Sequence, residues 1–123
     1  MNIEDLRDYC LSKAGTAEDL PFDQHTLVFK VMGKIFAITS LADEDLSVNL
    51  KCEPLRAVEL REQYPEVIPG FHMNKKHWNT VDFAGSLPPK LLYGMIDDSY
   101  DLVVQGLSRK QREELLQLDQ SDS

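Results

Sequence analysis

The stretch "TLVFKVMGKIFAIT", residues 26–39, constrains the fold more than any other part of the chain. From Thr26 the side chains repeat with a period of two, so Leu27, Phe29 and Val31 share one face and Val28, Lys30 and Met32 the other. Gly33 supplies a turn and "KIFAIT" resumes the same composition, which predicts a β-hairpin over 26–40. A lone hairpin is marginal in water. The remaining residues must therefore add strands beside it and a layer over its apolar face.

They carry the signals to do so. "LADEDL" is an acidic turn and "SVNLK" a third strand. Asn2 can cap a helix from Ile3 to about Ala14, with Leu6 and Cys10 on one face and Gly15 as its stop. "TAEDLPFDQ" then reads as loop. Pro54 suits the first turn of a helix ending near Gln63, and two short strands follow at about 67–73 and 77–83. Ser86 can cap a long helix through Leu92, Met95, Ile96, Tyr100 and Val103 that ends at Gly106, and Ser108 with Gln111 makes a capping box for a last helix to Leu118. The predicted order is α-β-β-β-α-β-β-α-α. It implies an α+β two-layer sandwich, an antiparallel sheet with helices on one face. Residues 1–118 form one domain, and 119–123 a frayed tail.

At 123 residues the chain can bury a core without disulfides or metals. No apolar run approaches the roughly 20 residues that cross a bilayer. The start, "MNIEDLRDYC", has neither a basic nor an apolar leader segment, and Cys10 and Cys52 fall in different elements. The expectation is a cytoplasmic protein with reduced thiols, away from membranes.

Charge is distributed unevenly. Residues 1–23 hold six acids and two bases, residues 91–123 seven acids and three bases, and residues 24–90 eight of each. The net −8 therefore resides at the termini. Long-range repulsion of polyanions follows, while a local basic face in the neutral middle stays open.

That middle contains "PGFHMNKKHW", residues 69–78, with two lysines, two histidines and the single tryptophan. Lys75 and Lys76 can neutralise phosphates, Asn74 and His77 can hydrogen-bond, and Trp78 can stack on a base. The plainer alternative is a solvated turn with Trp78 in the core. Lys30, Lys34 and Lys51 extend the patch if their strands lie beside the 77–83 strand. His25, His72 and His77 lack the spacing of a metal site, and no cofactor is expected. A base at His77 oriented by Asp82 would need a nucleophile or phosphate loop that the sequence does not offer, so no enzymatic role is expected.

"FKVMGKIFA" at 29–37, "LKCEP" at 50–54, "MNKKHWNTV" at 73–81, "GSLP" at 85–88 and "IDDSYDLVVQGL" at 96–107 together resemble the MmcQ/YjbR family. The resemblance implies an α+β fold likened to secretion chaperones and frataxin (CyaY-like). It also implies DNA binding through a double wing of hairpins, turning here at Met32-Gly33-Lys34 and at Asn74-Lys75-Lys76-His77. The alternative partner is a protein or peptide, and the chain would act as a monomer or dimer.

Overall fold

The computed structural model describes residues 1–70 and 73–121. The hairpin forms as the period-two pattern requires: β2 (Thr26–Val31) pairs antiparallel with β3 (Lys34–Ser40), closing at Val31 opposite Lys34. Both turn residues are left-handed, Met32 at φ 49° and Gly33 at φ 83°. This is the geometry that matches the twist of a two-residue hairpin. Around it lie α1 (Ile3–Leu11), β1 (Thr16–Asp19), β4 (Ser47–Lys51), α2 (Pro54–Gln63), β5 (Val67–Pro69), β6 (Trp78–Asp82), α3 (Pro89–Gln105) and α4 (Arg109–Ser121). The six strands make one antiparallel sheet ordered β1-β2-β3-β4-β6-β5.

The four helices sit on one face of that sheet, as the α+β two-layer expectation required. Leu27, Phe29, Val31, Ala37, Val48, Leu50 and Val81 point into the layer between. They meet Leu6 and Cys10 of α1, Ala57 and Leu60 of α2, Leu92, Ile96 and Val103 of α3 and Leu115 of α4 in a single cluster. Phe36 joins them because a bulge at the Phe29/Lys30 step lets two successive β3 residues face the helices. Ser99 docks α3 on the sheet: buried, it donates to Phe36 O and accepts from Lys51 N. Lys13, after α1, is ion-paired with Asp97 of α3 and 5.0 Å from the ring centroids of Tyr9 and Tyr100. No described helix is long and apolar enough to cross a membrane.

Five local expectations are corrected. Residues 16–19, read as loop, form the edge strand β1, held by Arg7–Glu18 and Lys30–Asp19 ion pairs. The first helix stops at Leu11, where Ser12 caps it, rather than at Ala14. Ser86 does not cap α3; its hydroxyl donates to Glu66, and the helix begins at Pro89 after Pro88, which offers no side-chain cap. Trp78 is absent from the core. The capping box of α4 forms as predicted, with Gln111 N donating to Ser108 Oγ at 3.1 Å, but the helix runs on to Ser121, past the expected stop at Leu118 and into the segment expected to fray.

Candidate nucleic-acid interface

Among the described residues, no helix lies on the second face of the sheet. Cross-strand partners point to the same side. The registers therefore set Lys30 beside Ile35, Val28 beside Ile38, Ile38 beside Asn49, Asn49 beside Thr80 and Lys51 beside Trp78, all on this second face, which is closed over at the buried Val28 and open at Lys51 and Trp78. Asn79, Val81 and Phe83 have the other parity and enter the core. That alternation is what moves Trp78 out of it.

The strand directions sort the charges. Lys34 begins β3, Lys51 ends β4 and Trp78 begins β6, all at one end of the sheet. The 75–77 turn lies at the same end. It is tightly made: Asn74 O accepts from His77 N at 3.1 Å and Trp78 N at 2.9 Å, and Asn74 Oδ1 accepts from Lys76 N at 3.0 Å. His77 O accepts from Cys52 N at 2.7 Å, and Arg61 of α2 donates to Lys75 O at 3.3 Å. Asn74 is thus occupied in building the turn, while the Lys75 and Lys76 side chains project into solvent. The opposite end of the sheet holds Asp82 and the Asp43-Glu44-Asp45 turn. The neutral middle of the sequence is therefore basic at one end of the sheet and acidic at the other.

Not every predicted cation joins the basic end on equal terms. Lys30 is on the open face but is ion-paired with Asp19 at 3.2 Å. Lys34 pairs in register with Val31, a core residue, which places it on the helix side. Its turn is anchored at Met32, whose N donates to Gly15 O at 3.0 Å and whose O accepts from Gln111 of α4 at 3.4 Å, while Gly33 and Lys34 stay exposed. That contact carries a cluster the sequence reading missed, since Arg109, Lys110 and Arg112 open α4 beside the same turn. Among the described residues, Lys34, Lys51, Lys75, Lys76 and Lys110 form no ion pair.

The other constellations come apart. His25 precedes β2 at the acidic end and His77 lies at the basic end. His72 is outside the described residues. Asp82 lies at the far end of β6 from His77 and accepts instead from Ala84 N. Both cysteines are free and buried, with burial raising the pKa of each; the Cys10 thiol is pushed up to about 12.

A family model for YjbR matches residues 11–102. The chain belongs to the YjbR family. It is 36% identical over 118 residues to the uncharacterized protein YjbR of Escherichia coli strain K12, covering 96% of this chain and all of that one. The uncharacterized protein YbdF of Escherichia coli O157:H7 is 40% identical over 90 residues, 73% of this chain and 74% of that one. A crystal structure from Deinococcus radiodurans with a DUF419 domain superposes with a TM-score of 0.87 at 39% identity, covering 93% of this chain and 87% of that one.

Within this YjbR domain a second feature shares the open face. A groove of about 510 Å³ runs between Phe22, Ile38, Asn49, Met73 and Thr80 toward Asp43. Phe22 at its rim is 68% exposed, a large aromatic left in water. Its floor is polar where Asn49 accepts from the Thr80 hydroxyl.

Proposed function

We propose that the protein is a binding module that contacts single-stranded nucleic acid weakly through the basic end of its open sheet face. One observation carries the reading: Trp78, half-buried on a helix-free face, stands in register beside Lys51, with unpaired Lys75 and Lys76 in the adjoining turn. An aromatic ring flanked by cations on an open sheet suits an unpaired base between phosphates. A rigid duplex has no unstacked base to offer such a ring. Lys51, Lys75 and Lys76 supply the phosphate contacts, and Lys34 and Lys110 extend the field. Lys30 contributes less, its charge being shared with Asp19.

Neutralising two or three phosphates of a single strand gives a slope of about −1.4 to −2.1 in log K against log salt, or roughly 7- to 20-fold weaker binding from 50 to 200 mM. Fluorescence-anisotropy titration of a labelled single strand tests this. The wild type is expected to bind with that salt dependence, and Lys75→Glu/Lys76→Glu to lose it. Equal binding by the double variant would refute the assignment.

The groove at Phe22 favours a second reading, capture of an extended peptide segment across the sheet. Phe22→Ala would then weaken a peptide complex and leave oligonucleotide binding unchanged.

A further inference from the structure

On the helix side of the sheet, away from the surface above, α2 and α3 bound a cleft of about 410 Å³ lined by Arg56, Leu60, Lys90, Leu91, Met95 and Asp98. Through Leu60, Met95 and Asp98 it adjoins a small space under the sheet reached by Asn79 and Cys52. Three independent features make it more than a gap between helices.

The first is Asn79, 2% exposed. Its Nδ2 donates to Ala57 O, a carbonyl that can only accept, which fixes the orientation of the amide. Its Oδ1 is buried without a hydrogen-bond partner. Orphaned buried acceptors are rare, and each calls for a physical reason.

The second is Gly94, inside a 17-residue helix where glycine is unfavourable. No atom lies within 4 Å of the Cβ it lacks, so packing in this fold does not demand it. Glycine also serves where another molecule must approach the backbone.

The third is the start of α3. Pro88 provides no side-chain cap, and Lys90 lines the mouth together with Arg56 of α2, whose guanidinium also reaches Glu59 at 3.5 Å. Cations gather at the positive end of a helix dipole, where an anion is the natural counterpart.

We propose that this cleft binds a small organic carboxylate with a flat apolar body and a hydroxyl or amide donor at its far end. The carboxylate sits between Arg56, Lys90 and the uncapped start of α3. The body lies on Leu60, Leu91, Met95 and the Gly94 backbone, and the donor reaches Asn79 Oδ1. Leu91 to Asp98 spans about 10 Å of helix, the length of a phenylpropionate. Asp98, an exposed residue that lines both spaces, is a second acceptor for the same donor.

The test is amide NMR titration of the full chain with three probes: 3-(4-hydroxyphenyl)propionate, 3-phenylpropionate without the donor, and 3-(4-hydroxyphenyl)propan-1-ol without the anion. Shifts are expected at Gly94, Lys90 and the Asn79 side-chain amide, with the two truncated probes each about tenfold weaker. Gly94→Leu, which suits a helix and fills the cleft, should abolish binding while the spectrum stays folded. Asn79→Leu should erase the advantage of the hydroxyl and spare 3-phenylpropionate. Absence of shifts with all three probes, shifts confined to other surfaces, or unchanged binding by Gly94→Leu would overturn the proposal.

Discussion

At the scale of single residues, Cys10 and Tyr9 show how the buried layer selects protonation states. Burial pushes both the Cys10 thiol and the Tyr9 phenol up to about 12, the latter reinforced by its hydrogen bond to Asp97. In each case the fold disfavours the charged form, which appears only at high pH. The stability tied to these groups is complete below their unfolded values, near 9 for the thiol and 10 for the phenol, and is lost as pH rises toward 12. Urea midpoints are therefore expected to fall from about pH 9 upward. Cys10→Ala should remove the lower part of that decline, and an unchanged profile would count against the buried thiol. Trp78 is placed by strand parity rather than by residue type. Its type suggests a core position, yet the alternation of Asn79, Val81 and Phe83 already assigns the core to the other parity. The signal was present in the pattern and was masked by the residue type.

At the scale of elements, the two turns that meet at α4 behave differently although both use glycine. Gly33 at φ 83° has open space around its absent Cβ, so Gly33→Ala should cost only the left-handed penalty, about 1–2 kcal/mol. Gly15 at φ 70° would also drive a Cβ to 2.6 Å from Leu115 Cδ1 of α4, and Gly15→Ala should cost about 2–4 kcal/mol in all. Equal urea midpoints for the two variants would contradict the packing of α4 on this turn. The hairpin, the capped helices and the Gly106 stop were legible because their signals are local. Strand β1 was not, since "TAED" is poor strand material that becomes one through ion pairs to Arg7 and Lys30, eleven residues away on either side. The start of α3 escaped for the opposite reason: Ser86 is a good cap by type, but its hydroxyl turns to Glu66.

At the scale of the whole molecule, what matters is where the sheet puts charge. A sequence with net −8 looks unsuited to a polyanion, and its terminal acids remain unfavourable at long range. Within a Debye length of about 8 Å, however, a polyanion placed at the basic end of the sheet would feel its lysines more strongly than the acids at the opposite end. Sequence order could not reveal this arrangement. It arises because β4 and β6 are neighbours in the sheet but separated in the chain by α2 and β5, and because α4 returns to the first turn. For the same reason two hairpin wings could be named from sequence but not how each is held: Lys75 and Lys76 of one turn stand in solvent, while the other is tied to α4 at Met32 and leaves Gly33 and Lys34 exposed.

The most direct test of this account is the fluorescence of Trp78, the chain's single tryptophan, during titration with an unlabelled single-stranded oligonucleotide at low salt. Stacking on the open face predicts saturable quenching that is reversed by added salt and is absent in Lys75→Glu/Lys76→Glu. Oligonucleotide binding seen by anisotropy with no change in Trp78 emission would place the contact elsewhere on the molecule and contradict the assignment of the open sheet face.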